Sequence, residues 1–182
     1  MTMHTTTKPE RRVAAIGASL ALLTCSLIGC APDPAPTPTP TPAFASEDEA
    51  FAAAEEVYRA YNEALNARNR GESEPDPQQY LTGPALEGEL DAQNSLQEWG
   101  LHANGEAIVL SFRGIEATTG GPTTDVSAYL CIDVSLLRVV DDTGADVTPA
   151  ERGDVVSQLV RFTGDRDRLL ITHEDSADEA SC

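Results

Sequence analysis

The chain is short of basic residues: 12 Lys and Arg stand against 30 Asp and Glu, a formal charge of −18 over 182 residues. A phosphate-rich partner needs a basic footprint, and none is supplied, so nucleic acid is excluded as a ligand. The acidic excess reads as a solvated surface rather than a recognition patch. Histidine is scarce as well, with three in the chain. His102 and His173 stand alone, without a companion at metal spacing, which argues against zinc. Asp141, Asp142 and Asp146 imitate part of a calcium loop but lack its ligand spacing and closing Glu. There is no glycine-rich phosphate cradle, no nucleophile elbow and no positioned Cys–His pair, and no cofactor is expected.

What is present begins with an address. Lys8, Arg11 and Arg12 form a positive start, and Val13 to Ile28 is an apolar run of about sixteen residues. That is short for a membrane span and right for the core of a secretory signal. The Arg11–Arg12 pair fits twin-arginine export poorly, with Glu10 before it and Val13 and Ala14 after it, so the general secretory route is expected. The run ends at Leu27-Ile28-Gly29-Cys30, the form of a bacterial lipobox. Residues 1–29 therefore read as a lipoprotein signal peptide and Cys30 as the acylated residue, which would bind the membrane stably once two or more acyl chains are attached. An ordinary cleavage near Ala43-Phe44-Ala45, leaving a soluble secreted protein, is the alternative. Pro32, Pro34, Pro36, Pro38, Pro40 and Pro42 alternate through the following stretch. Residues 30–45 read as a structureless, extended spacer of roughly 3 Å per residue.

The folded domain is expected over 46–182. Ser46 with Glu49 three residues on makes a capping box. Ala50, Ala53, Ala54, Val57, Tyr58, Tyr61, Ala64 and Leu65 recur at helical spacing, predicting a helix that ends near Arg70-Gly71. Gln78 to Leu81 reads as a short turn, and a second helix is expected from Pro84 toward Trp99. Beyond Gly105 the period becomes two. Strands are predicted over Ala107–Ile115, Val126–Val140, Val155–Phe162 and Leu169–His173, with turns at Asp141–Gly144 and Thr163–Arg166. In the long strand, Leu130, Ile132, Val134 and Leu136 face the expected core; Tyr129, Cys131, Asp133 and Ser135 face away. Helices followed by an antiparallel sheet of about four strands give an α+β domain.

The lipobox, the proline linker, "AEEVYRAYNEALN", "YLTGPALEGELDAQNSLQEWGLHANGEAIVLSF", "AYLCIDVSLLRVVDDTGADVTP" and a final cysteine together resemble the NTF2-like (SnoaL-like, cystatin-like fold) lipoproteins of high-GC Gram-positive bacteria. The resemblance covers essentially the whole mature chain. It implies helices packed on a curved sheet to form a cone, often with a pocket inside, and little about activity. The acidic "THEDSADEASC" tail departs from that pattern in lacking a terminal aromatic.

With Cys25 removed and Cys30 acylated, Cys131 and Cys182 remain, and in an oxidising compartment they are expected to form a disulfide. It would close a loop of about fifty residues and contribute roughly 4 kcal/mol in the chain-entropy account. The alternative is a buried free Cys131 and an unpaired Cys182. Enzymes of this fold place a carboxylate inside the cone, where burial raises its pKa. Tyr58, Tyr61, Trp99, Tyr129 and Asp133 are the residues to line such a pocket, with no catalytic residue assigned. Asp133 shares its face with Cys131 and also reads as an ordinary exposed polar residue; Tyr58 and Tyr61 also read as core aromatics. The functional expectation is a membrane-anchored, non-catalytic module on the outer face of the cell membrane that binds a partner protein or a small envelope ligand, or forms a dimer through the open sheet face. A small-molecule carrier or enzyme using the cone pocket is the alternative.

Overall fold

The computed structural model describes residues 41–178 and 182. The signal segment, Cys30 and most of the proline spacer lie outside the described residues. The described chain runs α1 (Glu47–Asn69), a 3₁₀ turn (Pro77–Tyr80), α2 (Gly83–Glu98), β1 (Leu101–Asn104), β2 (Ile108–Ala117), β3 (Thr124–Asp133), β4 (Arg138–Asp141), β5 (Val155–Gly164) and β6 (Leu169–Ser176). It is an α+β domain: both helices lie against an antiparallel four-stranded sheet ordered β2-β3-β5-β6, and β1 pairs with β4 in a separate ribbon.

Packing begins ahead of the first helix. Ala43 and Phe44, placed in the spacer by composition, are buried. The Phe44 ring lies under the Arg166 guanidinium, 5.5 Å away, and the Ala43 N–H donates to the Gly121 carbonyl at 2.8 Å. The cap then forms in a slightly shifted version of the expected box. The Glu49 N–H donates to Ser46 Oγ (3.2 Å), while the Glu49 carboxylate accepts from the Ala45 N–H (2.8 Å) rather than from that of Ser46. That backbone donor and Arg166, 2.6 Å away, hold Glu49 below the usual carboxylate range.

Ala50, Ala54, Tyr58, Tyr61 and Ala64 form the buried stripe of α1. Small residues let the helix approach the sheet closely, and at Gly114 of β2 the ring of Phe51 occupies the space a side chain would take. The helix ends where expected, the amides of Gly71 and Glu72 bonding back to the carbonyls of Arg68 and Ala67. Three of its polar residues also cap the edge strand. Arg59 donates to the Val109 carbonyl at 3.0 Å, and Asn62 and Asn66 both donate to the carbonyl of Ala107, whose N–H returns a bond to Asn66 Oδ1. An unpaired strand edge is thereby covered by side chains instead of by another strand.

The long strand expected over 126–140 is two. β3 stops at Asp133, whose carboxylate accepts from the Ser135 N–H (2.8 Å) and starts a turn closed by the Leu137 N–H on the Val134 carbonyl (3.0 Å). After the turn the chain pairs with β1, a strand too short for its periodicity to stand out. The core assignment holds through Leu130, Ile132 and Val134 and fails at Leu136, which the turn leaves 64% exposed. On the opposite sheet face, Cys131 and Cys182 sit at disulfide distance, with Cα atoms 5.5 Å apart.

Candidate functional site

The sheet and α1 bring a carboxylate into the interior. β6 pairs in regular register from Leu169 to Ile171 and again from His173 onward; between them an extra residue in β6 forms a bulge opposite Arg161 and Phe162. A bulge changes which side chains face inward. Leu169 and Ile171 point into the core, strict alternation would continue with His173, and the bulge turns Glu174 inward instead, opposite Val160.

Two tyrosines one helical turn apart on α1 meet it there. The Tyr58 hydroxyl lies 2.6 Å from Gln158 Oε1 and 3.1 Å from Glu174 Oε1, and Tyr61 donates to Glu174 Oε2 at 3.1 Å. Their rings pack edge to face, with centroids 5.7 Å apart. Burial pushes the Glu174 carboxyl above its ordinary range, and the nearby Glu89 charge adds to the rise; the two phenol hydrogen bonds, which favour the ionised form, oppose it. Burial and the Glu174 charge in turn raise both phenols, so each stays a donor. A cleft of about 400 Å³ opens over this cluster between α2 and β6, lined by Pro84, Gly88, Glu89, His173, Glu174 and Asp175. On its α2 wall Glu89 pairs with Arg68 at 2.5 Å and accepts from Gln93 Nε2 at 2.7 Å.

The five residues named from sequence do not form one pocket. Tyr58 and Tyr61 come together on Glu174. Tyr129 lies on the opposite face of the sheet, its ring 4.9 Å from the Arg113 guanidinium. Asp133 ends β3 on that same face, and its hydrogen bonds from Ser135 keep it below the usual carboxylate range, the reverse of what a buried acid would show. Trp99 closes the C-terminus of α2 and is 73% exposed. Glu174, Gln158 and Glu89 were missed by sequence reasoning. The apolar alternation of β6 gives no sign of the bulge that selects Glu174, and Glu89 is one of many acidic residues on an otherwise exposed helix.

A second cleft, of about 460 Å³, lies where the end of α1, the last two turns of α2 and β1 meet; Asn69, Asn94, Gln97, His102 and Asp142 are among the residues on its walls. Among the described residues no cluster of metal-ligating side chains occurs, and no helix is long and apolar enough to cross a membrane.

No family model matches the chain, and no curated protein matches it. Among solved structures it is similar to the intermembrane space region of the chloroplast protein ARC6, at 15% identity and a TM-score of 0.46 over 70% of this chain and 97% of that one, a likeness too low to assign a fold.

Proposed function

We propose that this chain is an exported lipoprotein, acylated at Cys30 and held on the outer face of the cell membrane. Its 46–182 domain, an NTF2-like cone, serves there as a non-catalytic binding module. The observation that carries the binding reading is how the interior is filled. Leu130, Val126, Val160, Phe162 and Ile171 are each under 2% exposed, while the open volume lies in clefts at the surface. An interior packed with its own side chains leaves recognition to those clefts and to the outer sheet face. The Cys131–Cys182 pair suits an oxidising compartment, and two helices on one face of a four-stranded sheet suit the cone.

Mass spectrometry of the membrane fraction should find the mature N-terminus at an acylated Cys30, and Cys30→Ala should release the domain from the membrane. An unmodified precursor in the cytosol overturns the anchor. Affinity capture from membranes with the tethered protein as bait tests the module; a stoichiometric binding partner or ligand is expected.

One observation favours a second reading, a carrier or an enzyme. Glu174 is a partly buried acid with a raised pKa on the wall of a cleft, the environment that poises a carboxyl to give or take a proton. Its discriminating measurement is the Glu174 titration by NMR in the presence of extracted envelope metabolites. A ligand that shifts it supports this reading, and an invariant titration removes it.

A further inference from the structure

We infer that the Cys131–Cys182 link is an exchangeable latch on the segment 177–182: a dithiol opens it at Cys182, Ser157 receives the Cys131 sulfur that leaves, and the segment comes off the outer face of the sheet. The inference goes beyond the binding-module reading and does not depend on it.

Burial on the outer face shows where the latch closes. Side chains alternate along β3 and β5, and Cys131 and Ser157 stand opposite each other in register on that face. Their neighbours along the same face, Tyr129 and Asp133 on β3 and Val155 and Leu159 on β5, are half-buried or exposed, whereas Cys131 and Ser157 are each 7% exposed. Both described ends of the segment lie against this pair. The Ala177 N–H donates to the Ser157 carbonyl at 2.9 Å. Cys182 Sγ lies 3.9 Å from the Leu130 carbonyl oxygen and 3.8 Å from that of Val156, over the seam between β3 and β5.

That burial strands a polar group. The Ser157 hydroxyl has no hydrogen-bond partner among the described residues. A buried hydroxyl left unpaired costs stability, and alanine would fill the same place without the cost. Its cross-strand partner supplies a use for it. Directly opposed side chains on one sheet face have Cβ atoms about 4.5–5.5 Å apart, which puts the hydroxyl within reach of the Cys131 sulfur. Bonded to Cys182, that sulfur is a weak acceptor; as a thiolate it carries a full charge and accepts strongly. The hydroxyl therefore favours the reduced form over the oxidised one. Exchange starts when a thiolate attacks a disulfide sulfur, and access decides which sulfur is struck. Cys182 is exposed and Cys131 is not. One sulfur of the dithiol, its proton given to water, bonds to Cys182 Sγ; the Cys131–Cys182 bond breaks, and its electron pair leaves on Cys131 as a thiolate that Ser157 steadies until it takes a proton from water. The second thiol of the reductant then displaces Cys182 Sγ, which leaves protonated. Two electrons and two protons have passed to the cysteines, and the dithiol has become a disulfide.

The test equilibrates the purified full chain with mixtures of reduced and oxidised dithiothreitol and scores Cys131 and Cys182 by peptide-resolved alkylation. Ser157→Ala should stay oxidised up to a ratio of reduced to oxidised dithiothreitol about fivefold higher than the parent tolerates, the worth of one hydrogen bond. In Cys182→Ser, the pH at which iodoacetamide begins to capture Cys131 should rise when Ser157→Ala is added, a change that a merely structural serine would not produce. A brief pulse of glutathione should leave its adduct on Cys182. On reduction the Ala177 amide should lose its protection from hydrogen exchange while the amides of β3 keep theirs. A dithiothreitol midpoint or a Cys131 pH profile unmoved by Ser157→Ala, an adduct on Cys131, or Ala177 protection that survives reduction overturns the inference. Loss of the lipid anchor, or failure to capture a partner, would strike the binding module and leave the latch standing.

Discussion

Glu174 sits where burial disfavours its ionised form. Its folded pKa is raised above the ordinary 4.5, so at pH values between the two the native state holds a proton that the unfolded chain has released. Native stability therefore rises as pH falls through that window, and the penalty is full once the pH exceeds the folded value. Relief of self-repulsion in an acidic protein acts in the same direction. Glu174→Gln separates the two: urea unfolding between about pH 7 and 5 should show a shallower gain in stability for the variant than for the parent. Below about pH 4 the sign reverses, because Asp133, Asp141 and Asp146, held ionised by local hydrogen bonds, then become protonated. A variant with the parental pH slope would show that burial of this carboxyl has been misjudged.

At the scale of elements, the contact between α1 and the sheet turns on Gly114. A Cβ there would lie 2.5 Å from the Phe51 ring. Gly114→Ala should cost about 1–3 kcal/mol in chemical denaturation, and pairing it with Phe51→Leu should recover part of the loss. The Cys131–Cys182 link ties the tail to β3 in the same way that α1 is tied to β2. Reduction, or Cys182→Ser, should lower stability by about 2–4 kcal/mol without altering the sheet's far-ultraviolet signature. Both helices and all four strands of the main sheet were legible because their periodicity ran long enough to register. α1 announced itself through its cap, its alanine and tyrosine stripe and its glycine stop. β1 was not legible and β4 was merged into the strand before it, each being four residues long and stabilised by a partner far away in sequence. Tyr58 and Tyr61 were found as a pair because helical spacing places them together, whereas Glu174 depends on a bulge, and a single inserted residue leaves no compositional trace. Phe44 was lost to the spacer because proline density hid an aromatic that packs on the core.

The whole molecule carries its 30 acidic side chains on a small body, and its surface ion pairs do little to offset them. Arg70 alone gathers Glu63, Glu72 and Glu106, all exposed, an arrangement worth little in water. Long-range repulsion among the unpaired carboxylates should be the larger effect. Raising the ionic strength from about 0.01 to 0.15 M, which shortens the screening length from roughly 30 to 8 Å, should therefore raise the melting temperature. A fall on adding salt would mean that the local pairs dominate after all. The seating of Phe44 beneath Arg166, with Ala43 stitched to Gly121, also has a mechanical meaning. Any pull arriving along the upstream chain meets this aromatic plug and its neighbouring loop before it reaches α1. Tension applied upstream of residue 43 would thus load a buried ring first, and the helix that positions Tyr58 and Tyr61 only after that ring had been drawn out.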